Sequence, residues 1–203
     1  MNSSTGRRAP DQAGYRMYNG SFIDGNIASQ RQLAGQYAAA ADWSSIISKL
    51  KTDTKTHKII EKIEIYTHSR GAAFGAGYIT ELITLIGQHP ELFEDPQNEI
   101  DLVLNLASHQ SGSITEPAGS YAFSIDHEGD WLSGNDMSGI VAALSTAEKV
   151  TGPFPGHVLQ SFVNDVSAFA QAFAQNKGDS KKLLNDFVTK MKNLYGITVI
   201  IVQ

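Results

Sequence analysis

Residues 60–87 read IEKIEIYTHSRGAAFGAGYITELITLIG, and this stretch decides the fold. Its first third alternates apolar residues around Ile60, Ile63 and Ile65 before Tyr66, as a strand entering a covered sheet would. The run stops at Thr67-His68-Ser69-Arg70-Gly71. Ala72, Ala73, Gly75, Ala76 and Gly77 then open a helix whose second half carries Tyr78, Ile79, Leu82, Ile83, Leu85 and Ile86. Small residues at a helix start let it sit very close to a sheet, and the apolar continuation predicts burial on more than one side. A buried strand running through a tight turn into a central helix belongs to an α/β sheet.

Working outward, the residues before this unit divide into a polar, mobile tail over 1–14, a short strand over 15–22 and an amphipathic helix. Ser29 and Gln32 have capping-box spacing, and Leu33, Tyr37, Ala40, Trp43, Ile47 and Leu50 recur at steps of three and four to form its inner face. After the unit come buried strands over 99–107 and 120–125, ending in Gly-containing loops over 108–119 and 126–135. Residues 137–150 read as a helix broken by Thr151-Gly152-Pro153-Phe154-Pro155-Gly156. A stripe of Val158, Phe162, Val166, Phe169 and Phe173 predicts a helix with a core face. A last helix starts at a capping Ser180 and stops at Gly196, and a β-branched strand over 197–202 closes the chain. Strands joined through helices predict a three-layer α/β sandwich with a mostly parallel sheet of about five strands. Residues 15–203 form one domain. In such sheets ligands bind beyond the carboxyl ends of the strands.

Composition narrows the chemistry. The 203 residues contain no Cys, which excludes a disulfide scaffold, a thiol nucleophile and a Cys-ligated zinc. With 21 acidic against 16 basic residues the formal charge is -5, and no basic stripe offers a footprint for nucleic acid. No stretch is long and apolar enough to span a bilayer, and the first residues lack the hydrophobic segment of a secretory signal. The expected location is the cytoplasm by default, unless the chain is part of a longer exported protein.

Thr67-His68-Ser69-Arg70-Gly71, between a buried strand and a small-residue helix, has the form G-x-S-x-G with Thr67 in the place of the first Gly. It resembles the nucleophile elbow of the α/β-hydrolase superfamily, particularly its lipase-like members, over about residues 60–85. Ser69-Arg70-Gly71-Ala72 also looks like the S-R-G-A elbow of some bacterial phospholipase-like effector domains. The resemblance implies a minimal α/β-hydrolase in which Ser69 is the nucleophile, followed along the chain by an acid and then a histidine.

The sequence supplies that order. Asp130 lies in the loop after the strand over 120–125, with Asp126, Glu128 and Asp136 (a helix-cap candidate) as rivals for the acid. His157 follows the Pro/Gly-rich loop, with His109 as rival base. His127 is close to the acid in sequence, His68 is expected to face away from Ser69, and His57 and His89 sit in surface-like segments. The resemblance further implies an oxyanion hole made by the Arg70 amide and the Gly20/Ser21 loop. No cofactor or metal is required. The expected activity is hydrolysis of a carboxylic ester, of a lipid or acyl substrate, through an acyl-enzyme, with transient contact to a membrane surface as one way of reaching it. Phe154, Val158 and Trp131 would form an apolar rim. The other class open to this sequence is a non-catalytic α/β interaction domain or a fragment of a larger modular protein.

Overall fold

The computed structural model describes residues 27–134, 136–147 and 156–202. The tail over 1–14, the strand over 15–22 and Phe154 lie outside the described residues. In chain order the elements are α1 (Ala28–Ile47), β1 (Ile63–His68), α2 (Gly71–Gln88), β2 (Ile100–Leu106), β3 (Ala122–His127), β4 (Ala142–Thr146), α3 (Val163–Asn176), α4 (Ser180–Lys190) and β5 (Val199–Val202). The five strands stand side by side in sequence order. Strands β1 to β4 run parallel and β5 pairs antiparallel with β4, so the α/β architecture with a mostly parallel sheet is as the residues predicted.

Helices cover both faces. On one, Leu102, Leu104, Leu106, Phe123, Ile125 and Leu144 of the sheet pack against Phe162, Phe169, Phe173, Leu183 and Phe187, so the predicted aromatic residues are core, while Val158 at the head of the stripe is exposed and precedes α3. On the other, Val103 and Ala122 meet Ile79, Leu82 and Ile86 of α2 and Ala39 of α1. Burying these side chains on both faces supplies the main stabilising force, as for any sheet between helical layers. Among the described residues no helix is long and apolar enough to cross a membrane.

Several local expectations are corrected. Residues 142–146 are not helical but form strand β4, hydrogen-bonded between β3 and β5. An Ala-rich segment has helical propensity, yet a slot with ladder partners on both sides overrides it. Just before it, within the predicted helix, Gly139 takes a non-helical φ of +77° where the chain passes so close to the Glu116 carbonyl oxygen that a Cβ would lie 2.3 Å from it. Asp136 therefore caps nothing helical.

The inner face of α1 is different as well. Leu33 and Tyr37 are exposed, and the buried residues are Ala28, Arg31, Gly35, Ala39 and Asp42. The first half of the helix is held by close backbone approach, while Trp43, Ile47 and Leu50 of the predicted face, with Ile46, pack partly buried against the core. A Cβ on Gly35 would stand 2.1 Å from the Phe74 carbonyl oxygen, and one on Gly77 would stand 1.9 Å from that of Gln32. The capping box does not form, since α1 begins at Ala28 and Ser29 sits inside its first turn without a cap bond.

Finally, the N-cap of α4 is Asp179, which accepts from the Lys182 amide at 3.0 Å, rather than Ser180. The connections from β2 to β3 and from β3 to β4 contain no α-helix. These two loops leave the sheet at the same edge as the turn after β1.

Candidate active site

β1 ends at His68 and α2 begins at Gly71, so Ser69 and Arg70 make the entire turn. Ser69 has φ +53°, a left-handed conformation that non-glycine residues adopt only when the surroundings enforce it. The enforcing contacts are visible. The Ser69 amide donates to the Leu106 carbonyl at 2.9 Å, and the Ser69 carbonyl accepts from the amides of Ala72 at 3.1 Å and His109 at 3.3 Å.

Thr67 fits beneath the turn because Gly75 leaves room for it: a Cβ on Gly75 would lie 2.5 Å from the Thr67 methyl. The Thr67 hydroxyl donates to Asn105 Oδ1, and Asn105 Nδ2 donates to the buried Glu116 at 2.9 Å. Burial raises the Glu116 carboxyl to about 7. Gly71 is less constrained than its motif position suggests, since a Cβ there would meet no described atom within 4 Å.

The structure brings three of the candidate residues together. Ser69 Oγ lies 2.7 Å from His157 Nε2, and His157 Nδ1 lies 2.7 Å from Asp130 Oδ2. With the carboxylate fixing the proton on Nδ1, the Nε2 lone pair is left to accept the serine proton. Asp130 is itself oriented, because Oδ1 accepts from the Leu132 amide at 3.0 Å and Oδ2 from the Ser133 hydroxyl at 2.7 Å. Burial pushes the Asp130 carboxyl up, but the bonds from Ser133, His157 and Leu132 outweigh it and hold the group below the usual carboxylate range. The acid follows β3 and the histidine follows β4, at the carboxyl end of each strand.

The rivals stand elsewhere. Asp126 is buried at the end of β3, and desolvation raises it to about 7, so near neutrality it is a partly protonated acid rather than a fixed negative charge. Glu128 and Asp136 are exposed. The ring of His109 points its Nδ1 at the Leu132 carbonyl, 3.1 Å away. His127 is buried with Nε2 3.1 Å from Asp165 Oδ2 and stacks on Phe162 at 3.9 Å between ring centres. His57 and His89 are exposed, His89 lying beside Trp43.

His68 is the residue that sequence reasoning misplaced. It does not face away from the site: its Nε2 donates to the His157 carbonyl at 2.6 Å, and the two rings lie 5.4 Å apart. The residue before the serine thus grips the main chain of the histidine. Burial, more than the neighbouring His157, holds His68 below the usual histidine range, which favours a neutral ring against His157. Two further supports were also missed. Ser133 has a local signal in its Asp-x-x-Ser spacing from Asp130. Gly156, at φ +82°, has none, yet a Cβ there would lie 2.9 Å from that of His127.

Arg70 is the N-cap of α2, whose first turn has no side-chain cap and whose Ala72 amide is taken by the Ser69 carbonyl. Gly20 and Ser21 lie outside the described residues. Trp131, Val158 and Leu159, next in sequence to Asp130 and His157, are exposed. Among the described residues no group of three or more His, Asp or Glu side chains is placed to hold a metal ion. Comparison of the chain with protein-family models, curated proteins and solved structures finds no match to any of them.

Proposed function

We propose that the protein is a serine hydrolase that cleaves a carboxylic ester through an acyl-enzyme. The observation that carries this reading is the unbroken hydrogen-bond chain from Ser69 through His157 to Asp130. A serine hydroxyl needs a base to take its proton, and the base needs a carboxylate to fix its tautomer and to stabilise the imidazolium that results.

In the proposed cycle Ser69 Oγ attacks the carbonyl carbon while its proton passes to His157 Nε2. The oxyanion is met by the Arg70 amide at the start of α2, with the Gly20/Ser21 loop as the proposed second donor. The imidazolium then gives its proton to the leaving alkoxide, and the alcohol departs. Water, deprotonated by the same Nε2, releases the acid. Asp130 stays ionised throughout.

Membership of the α/β-hydrolase superfamily is part of the proposal. It is supported by the left-handed serine between β1 and α2, by the order serine, acid, histidine, and by the presence of β4 between the acid and the histidine. An acyl or lipid substrate is favoured by the exposed apolar residues flanking the triad, Trp131, Val158 and Leu159.

The direct test is covalent. A fluorophosphonate probe should label the folded protein stoichiometrically, with the adduct on the Ser69 peptide in mass spectrometry. Folded protein that neither labels nor turns over short-chain 4-nitrophenyl esters would return the chain to the interaction-domain reading.

The His68 clamp has its own signature. His68→Phe keeps a ring but loses the donor, and should lower kcat about tenfold, the worth of one hydrogen bond, while leaving KM nearly unchanged. His68→Gln places an amide donor near the position of Nε2 and should recover most of the loss. Equal activity in the two variants would show that the contact does not position the base.

A further inference from the structure

A guanidinium with no carboxylate partner among the described residues is bonded to the loop that touches the turn at Ser69. Arg31, in the first turns of α1, is 2% exposed, one of the largest fully buried side chains in the molecule. Its Nη1 donates to Gln110 Oε1 at 3.2 Å, a neutral acceptor, and its Nε has no hydrogen-bond partner. Gln110 adjoins His109, whose amide donates to the Ser69 carbonyl, so the arginine reaches the loop that touches the turn. Arg70, exposed and immediately after Ser69, is close enough for its charge to act with burial in lowering Arg31 from the usual arginine value. Among the described residues no carboxylate pairs with either guanidinium.

The backbone adds to this field. Ala28 packs with Ala72, Ala73 and Ala76, while Ala39 packs with Ile79 and Leu82, so α1 and α2 run side by side with their N-termini at the same end. Neither helix has an acidic residue in its first turn or a side-chain cap. Two positive helix ends, a buried guanidinium and a second one on the turn therefore converge with no carboxylate among the described residues paired to the guanidinium groups. Burying a charge without a counter-ion is costly, and the missing partner is most economically an anion that arrives with the substrate.

We propose that Arg31 and Arg70 form an anion-recognition site beside Ser69, and that the ester cleaved there carries a carboxylate or phosphate near its scissile bond. This rests on the hydrolase reading for its consequence but not for its binding test. Arginine is suited to the task because its planar fork matches both anions.

The binding test uses inorganic phosphate. It should raise the Tm of the wild-type protein and of Ser69→Ala, and the shift should be lost in Arg70→Gln and Arg31→Gln. Arg31→Lys serves as the charge-retaining control if Arg31→Gln does not fold. An equal shift in the arginine variants, or none in the wild type, would overturn the site whether or not the protein hydrolyses esters.

The kinetic test compares the 4-nitrophenyl monoester of succinic acid with its uncharged methyl ester. The wild type should prefer the anion in kcat/KM, and each Gln variant should reduce that preference about tenfold, the effect of one charge-assisted bond. A variant that slows both esters equally would assign the arginine to the oxyanion or to folding and reject the proposal. Monomeric dihexanoyl phosphatidic acid, run beside the succinate ester, identifies the source: arginine-dependent cleavage of the lipid alone points to a headgroup phosphate, and of the succinate ester alone to a soluble acid.

Discussion

His157→Ala is expected to reduce ester turnover by about 10⁴-fold or more, the range seen when the base of a serine relay is removed. No other described histidine can substitute. His109 is the instructive comparison, since its amide touches the Ser69 carbonyl but its ring is committed to the Leu132 carbonyl. His109→Ala should therefore cost less than about tenfold, through a slackened loop, on the scale of one lost hydrogen bond. Both variants should keep the wild-type far-ultraviolet circular dichroism, because the His157 ring adds little to either core cluster and the backbone bonds of His109 survive. Comparable losses in kcat for the two would remove His157 from its role.

The acid gives the second large effect. Asp130→Asn should lower kcat by about 10⁴-fold, because an amide can hold the imidazole in the wrong tautomer and brings no charge to balance the imidazolium. Asp126→Asn should cost less than about tenfold. The contrast follows from environment: burial raises Asp126 to about 7, while Asp130 is held ionised by the Ser133 hydroxyl, His157 and the Leu132 amide. Each 1.4 kcal/mol of lost stabilisation is about a factor of ten, so the two carboxylates should separate by roughly 4 kcal/mol in activation free energy. Steady-state rates with a 4-nitrophenyl ester between pH 7 and 9 measure this directly. An Asp126→Asn variant as slow as Asp130→Asn would mean that the neighbouring carboxyl carries the charge.

The legible parts of the molecule were those whose signal is local. The alternating run before Thr67 and the small residues after Gly71 each state their own structure, and together they placed Ser69 on a strand-to-helix turn. Asp130 and His157 followed from loop position and chain order. What stayed hidden depends on contacts between distant segments. Nothing in residues 142–146 says that β3 and β5 leave a gap between them, so alanine propensity pointed to a helix. Nothing in α1 says that Gly35 will meet the Phe74 carbonyl, so the periodicity of the large apolar residues finds the packed second half of the helix, with Trp43 and Ile47, and misses the close contact in its first half. His68 shows the same limit, because its partner is a carbonyl 89 residues away.

The left-handed backbone at Ser69 bears on how such a site is kept. A non-glycine residue in that region is destabilising by about 1–3 kcal/mol, a sizeable part of the margin by which a domain stays folded. Glycine would relax the turn at once, and in doing so would delete the hydroxyl. Mutation toward a sturdier fold and mutation toward an inert one therefore run in the same direction at this position. On the proposed function, a lineage freed from the need for the reaction would gain stability by abandoning it, so selection for stability alone could not maintain the serine.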